Sequence, residues 1–306
     1  MKLFQLAMSG LGAAALFLTA CSSAQTTQAP TQEISTEAPG PAMWRLSDED
    51  TEIVFLGTVH KLRDGVDWER PELTALYFNA DMLYLEMDHD AVTPEENLQF
   101  VFDGKARSGA YLSDVLTPEQ YERISAFAAE NDASMDWLNT KKPWVASLVL
   151  NELAMADVGY SNEFGVETVL IETFEDLDIP VRGLERITYA SGRLSALSMD
   201  QQVRMLMDVI DTPDERVDEF EAAIEAWQSG DIILLDQLVM KELRTDFPEI
   251  YEILLVDRNK RWVPVILDIL ENEEGTIIIA VGAGHLAGPD SLIDMLSDEG
   301  LDAERF

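Results

Sequence analysis

Two phrases in this chain end alike. Ile53 to His60 reads IVFLGTVH, an apolar run that stops at a glycine and then presents a histidine, and Thr276 to His285 reads TIIIAVGAGH. Of three histidines in the protein, two close such a Gly-x-x-His. A glycine there lets the backbone turn tightly as a strand exits, so that an imidazole can project over the sheet edge. Two neutral imidazoles and a carboxylate form a common ligand set for a divalent transition metal, one that leaves positions open for water. Glu86 is the best carboxylate, because it ends the apolar run DMLYLEM, where a solvated glutamate would be out of place. Asp88 competes with it on the same face by the two-residue strand period. His89 has no preceding glycine and reads as a solvated rim residue. The bland alternative for each histidine is a capped structural group at a strand end.

The elements that must position these residues follow from periodicity. Thr51 to Leu56 reads as a buried strand, Trp68 to Asn79 as a helix, and Asp81 to Met87 as a second strand. A strand–helix–strand unit is the signature of a parallel sheet. Thr117-Pro118-Glu119 opens a helix with a capping residue followed by proline. Helical spacing continues through Trp144 to Met155 and Glu167 to Glu175, before a short strand at Pro180 to Gly183. From Ser191 to Leu243 the pattern is amphipathic helix, broken at Asp211-Thr212-Pro213 and Gly230-Asp231. A long helix over Tyr251 to Leu270 feeds the strand Thr276 to Val281, and Pro289-Asp290 starts the last helix. The expectation is an α/β fold: a central, mainly parallel sheet flanked by helices, with a largely helical lobe inserted at about 190–250. Sites in such sheets lie beyond the carboxyl ends of the strands. His60, Glu86, Glu185 and His285 all stand at or just after such ends.

The N-terminus is set apart from the fold. Residues 1–20 read as a lipoprotein signal peptide, with Leu18-Thr19-Ala20-Cys21 as the lipobox. Cys21 would carry the lipid, and 21–42, rich in Thr, Gln, Ser, Ala and Pro, would be a flexible tether. Ser22 after the cysteine points to the bacterial outer membrane, with the domain at 43–306 facing the periplasm. Cys21 is the only cysteine, so disulfides, thiolate zinc sites and iron–sulfur clusters are excluded. Lys+Arg 21 against Asp+Glu 58 gives a formal charge of −37, which disfavours nucleic acid as a partner. Gly282, Gly284 and Gly288 suggest a dinucleotide loop, but the spacing is one residue too long and no ribose-binding acid follows. Neither Gly-x-Ser-x-Gly nor His-Glu-x-x-His occurs.

Trp44-Arg45, FLGTVH, LYLEMD, KKPW (Lys141 to Trp144), GVETVL (Gly165 to Leu170), VRGLE (Val181 to Glu185), DRNKRW (Asp257 to Trp262) and VGAGHLAGPDSLIDML come in one order. That order resembles the TraB/GumN family across essentially the whole mature domain. The family is similar to the Tiki metalloproteases and, more remotely, to the ChaN-like and erythromycin-esterase folds. The resemblance implies a divalent metal held by Gly-x-x-His motifs and acidic residues, with Tiki-type members cleaving peptides. It points to His60, Glu86 and His285 as metal ligands and to Glu185 and Arg258 as catalytic groups. Glu185 would act as general acid or base or complete the shell, and Arg258 would stabilise an oxyanion; the alternative is a salt bridge between them. The chain departs from the family at Glu167, where Gly-Val-Asp is usual, and at Arg186. The expected function is a metal-dependent hydrolase, a peptidase acting on a peptide or small-molecule substrate, with manganese, cobalt or zinc equally suitable. A haem- or iron-binding lipoprotein of ChaN-like type and a non-catalytic peptide-binding protein are the alternatives.

Overall fold

A computed structural model describes residues 40–87 and 92–306. The signal peptide, Cys21 and most of the tether lie outside the described residues, as do Asp88 and His89. Gly40, Pro41 and Ala42, read as the end of the tether, are already buried. No described helix is long and apolar enough to cross a membrane.

The core is a six-stranded sheet of order β4-β3-β5-β2-β1-β6. Its strands are β1 (Met43–Ser47), β2 (Thr51–Thr58), β3 (Met82–Met87), β4 (Val181–Glu185), β5 (Gly275–Gly282) and β6 (Glu304–Arg305). The four strands read from sequence form the parallel part, β4-β3-β5-β2. Antiparallel β1 and β6, which periodicity did not reveal, finish one edge. Strand β6 has two residues and β1 five, too short for a pattern to stand out from the background.

Strand β5 lies between β3 and β2, and its Ile277-Ile278-Ile279 run is almost fully buried. Apolar side chains alternate between two cores, as a sheet covered on both faces requires. Ile278, Leu83, Leu85 and Val54 face the larger core, which holds most of the helices. Ile277, Ile279, Tyr84 and Phe55 face a smaller one closed by Trp262 and Ile266.

Between β2 and β3 comes α1 (Pro71–Tyr77), shorter than its apolar spacing suggested because proline fixes the first turn. The β3–β4 connection carries α2 (Pro94–Gly104), α3 (Pro118–Glu130), α4 (Pro143–Asp157) and α5 (Val166–Asp176). Thr93 and Thr117 build full capping boxes at the starts of α2 and α3. After β4 the chain is helical to β5, through α6 (Thr188–Ala196), α7 (Met199–Asp211) and α8 (Pro213–Gln228). The expected long helix is π-helical at Glu252–Val256 and becomes α9 (Asp257–Asn272); a second π segment covers Asp236–Met240. The last helix, α10 (Leu292–Asp298), begins later than Pro289, because Gly288 turns at φ 80° and Ser291 supplies the cap.

Burial of the central strand predicts its energetic weight. Ile279→Ala should lower stability by about 2–5 kcal/mol, the range for emptying a well-packed isoleucine site. The loss should appear as a lower denaturant midpoint with an unchanged slope.

Candidate functional site

Register brings the two Gly-x-x-His phrases together. β2 and β5 pair in parallel with Gly57 opposite Val281 and Thr58 opposite Gly282, so both runs end at the same height. His60 follows two residues after β2, and His285 stands in the 3₁₀ turn Ala283–Leu286 just after β5. On the other side of β5, β3 places Leu85 opposite Ala280, which carries Glu86 to the same edge. Met87 pairs with Glu185 on β4, bringing the fourth residue there too. Arg258 arrives from α9, whose Arg258, Asn259 and Trp262 share one buried face. All five residues singled out in the sequence therefore meet at one sheet edge.

Arg258 is at the centre. It is fully buried, and its guanidinium divides between two carboxylates: Nη2 donates to Glu86 Oε2 at 2.6 Å and Nε to Glu185 Oε1 at 2.7 Å. Nη1 donates to Leu254 O at 3.3 Å and faces His285 Nε2 at 3.2 Å. Trp262 Nε1 donates to Glu185 Oε2 at 3.2 Å, and its ring lies 4.7 Å from the Arg258 guanidinium carbon. Gly282 N–H donates to Glu86 Oε1 at 2.7 Å. The Glu185–Arg258 salt bridge, weighed as one reading of the sequence, is present.

Burial opposes ionisation of every group here, and the ion pairs overcome it at Glu86 and Arg258 but not at Glu185 or His285. Burial disfavours the Glu86 carboxylate, yet Arg258 and the Gly282 N–H hold it well below the usual carboxylate range. Glu185 goes the other way: burial, with Glu86 adding to it, pushes its proton affinity up despite Arg258. Burial would lower the Arg258 pKa, but the two carboxylates raise it overall. His285 is pushed down to about 3 by burial, with Arg258 reinforcing, so it is neutral near pH 7.

The two imidazoles are held from behind. His285 Nδ1 lies 2.7 Å from Asn259 Oδ1, and the Asn259 amide donates onward to Asp290 O at 2.9 Å. A neutral ring that donates from Nδ1 has its lone pair on Nε2, here 3.7 Å from Glu86 Oε1. His60 Nδ1 meets Glu167 Oε1 at 2.9 Å, and the Thr58 hydroxyl donates to the same oxygen. Burial opposes protonation of His60, but Glu167 raises its pKa above the ordinary value. His60 Nε2 is buried and has no hydrogen-bond partner among the described residues. A carboxylate or amide behind the outer nitrogen is how ligand histidines are oriented.

Glu167, Asn259 and Trp262 were not singled out by the sequence reading. Glu167 appeared there only as a departure from a usual aspartate, and Asn259 and Trp262 only as letters in DRNKRW. Gly165 sets up the first of these contacts: a Cβ at that position would stand 2.1 Å from His60 O. The close approach lets Val166 N–H donate to Val59 O at 3.0 Å and docks the start of α5 against His60.

Among the described residues no three His, Cys, Asp or Glu side chains already converge as a ready ligand group. The donor types suit a divalent ion, since two imidazole nitrogens and the Glu86 carboxylate share one edge. Arg258 Nη1 already engages the His285 lone pair, so the fit requires that contact to open. Beside the histidines lies a pocket of about 120 Å³. Its polar end has His60, His285, Asn162 and the Lys61–Glu152 ion pair, and the remainder is largely apolar.

Two outcomes follow from this geometry. Gly165→Ala should destabilise the protein by about 1–3 kcal/mol, because the added methyl cannot be accommodated without moving the His60 backbone; denaturant titration measures it. For His285 the folded pKa lies below the unfolded value of 6.5. The unfolded chain therefore takes the proton first, and this contribution is full above 6.5 and is lost as pH falls toward about 3. The denaturation midpoint of His285→Gln should fall less steeply across that window than that of the wild type.

The chain is 23% identical to the uncharacterized protein YbaP of Escherichia coli (strain K12) over 231 residues, covering 71% of this chain and 77% of that protein. YbaP of Shigella flexneri matches to the same extent. No solved structure matches. The model of the TraB/PrgY/gumN family matches residues 42–305, every residue of the site included, and the chain belongs to that family.

Proposed function

We propose that this protein is a metal-dependent hydrolase, most simply a peptidase, tethered to the outer membrane through Cys21. One observation carries the reading: two imidazoles at one sheet edge, each oriented through Nδ1, with the buried His60 Nε2 left without a partner among the described residues. A buried polar atom without a partner is costly, and such an atom beside a pocket is a candidate binding group. His60, His285 and Glu86 are the residues that would hold the ion. A divalent cation bound by them would supply Lewis acidity and lower the pKa of a water molecule.

The remaining residues have separable tasks. Asn259 and Glu167 favour the tautomers that place the lone pairs on Nε2, the one on His285 being engaged by Arg258 Nη1. Arg258 balances the charge of Glu86 in a dry environment and carries a donor, Nη1, that can turn from His285 to negative charge on a carbonyl oxygen. Glu185 and Trp262 hold the guanidinium in place. Glu185 also has the raised proton affinity expected of a group that holds a proton during hydrolysis. The apolar walls of the pocket exclude water around a bound substrate.

The test is titration of the purified full-length protein with Mn²⁺, Co²⁺ and Zn²⁺, following metal content and thermal shift, with peptide cleavage measured alongside. At least one ion should stabilise the wild type, and His60→Ala or His285→Ala should each remove most of that gain. The double variant should then lose little more. Independent additive losses, or a wild type indifferent to all three ions, would overturn the shared site.

A further inference from the structure

The pocket beside His60 and His285 has an apolar wall. It includes Met155, Ile224, Leu235, Val239, Met240 and Leu254, drawn from α4, α8 and the helical segments that follow. We infer that this chamber is a side-chain subsite, which takes one leucine- or methionine-sized aliphatic side chain from the substrate residue next to the reacting bond. This rests on the reading of the His60–His285 end as the reacting centre.

Chemistry and size both select the occupant. Lys61 and Glu152 neutralise each other, and Asn162 Nδ2 donates to Glu152 Oε1 at 2.9 Å. The polar end thus has no unpaired charge to offer an ionic side chain, which would enter without a partner and lose its hydration. The whole pocket, polar end included, holds about 120 Å³, on the scale of the roughly 150 Å³ apolar cavity that accommodates benzene. A leucine or methionine side chain is of that scale, and an indole is bulkier. Methionine in the wall adds adaptability to small differences of shape.

The wall is joined mechanically to the charged site. Two π segments occur among the described residues, and both line this chamber: Asp236–Met240 supplies Val239 and Met240, and Glu252–Val256 supplies Leu254. Such widened turns recur at functional sites. Leu254 gives its side chain to the chamber and its carbonyl to Arg258 Nη1. Met240 also packs against the turn that bears His285, since a Cβ on Gly284 would stand 2.9 Å from its sulfur. A side chain seated here therefore lies against the same backbone that carries the two functional groups.

The experiment uses full-length protein with ¹³C-labelled methionine methyls and five probes: the N-acetyl amides of leucine, methionine, aspartate, lysine and tryptophan. For ligands this small, binding on the order of millimolar is expected. The Met155 and Met240 signals should move with the leucine and methionine probes, and about tenfold more weakly with the other three. Ala223→Leu, which narrows the chamber, should weaken the leucine probe about tenfold. Met240→Ala, which enlarges it, should admit the tryptophan probe as seen at Met155. An equal response to aspartate, or no response from a folded wild type, would overturn the subsite. The binding readout needs neither metal nor turnover, so it should persist in His285→Ala. Selective binding by a protein that cleaves no peptide leaves the subsite standing and removes the hydrolase reading. Cleavage without preference for leucine or methionine beside the cut does the reverse.

Discussion

The site depends on one buried cation. Arg258 lies in the dry end of the sheet, and a charge there is tolerable only when it is paired and hydrogen-bonded. Both conditions are met through Glu86 and Glu185, with Trp262 and the Gly282 N–H satisfying the remaining carboxylate oxygens. The guanidinium fork suits this task in a way that a lysine ammonium would not, because Nε and Nη2 address two carboxylates in fixed directions. The arrangement locks three elements, β3, β4 and α9, to a single point. The pairing keeps Glu86 ionised, while burial pushes Glu185 toward protonation and keeps His285 neutral.

The parallel sheet makes this meeting possible. Parallel strands point the same way, so residues just beyond their carboxyl ends collect along one edge however far apart they lie in sequence. His60 and His285 are separated by most of the folded domain, yet β2 and β5 are neighbours in register. The helices serve the edge from both faces. Those of the larger core build the apolar pocket, whereas α9 closes the opposite face with Trp262 and Ile266 and delivers Arg258 and Asn259. Outside the site the charge balance is very different. With a formal charge of −37, most ion pairs lie at partly exposed positions, where they add little to stability. The Arg258 cluster is buried, as is the Arg216–Asp208 pair, but only the former gathers the candidate site residues.

Family membership gives the site a context without naming a reaction, since the YbaP relatives are themselves uncharacterized. Glu167 meets His60 Nδ1 and accepts from the Thr58 hydroxyl, so its side chain occupies an orienting position. Gly165 accounts for how it gets there, because only a residue without Cβ allows α5 to begin against the His60 carbonyl.

Much of this was readable in the chain. Apolar runs gave β2, β3 and β5, since burial on both faces leaves no polar alternation to confuse the pattern, and β4 reads as a short strand after the helix before it. The glycine before each histidine gave the exits, and a glutamate closing an apolar strand gave Glu86. Sequence could not give β1 and β6, whose few residues carry too little periodicity, nor the two π segments, which differ from α-helix only by one residue per turn. It named Arg258 and Glu185 but left open what they touch. That Arg258 reaches Glu86, Glu185 and His285 together, that Glu167 and Asn259 stand behind the imidazoles, and that an aliphatic chamber opens beside them are facts of distance between elements. Residue types decided which groups could do chemistry; strand register and helix docking decided which of them share a site.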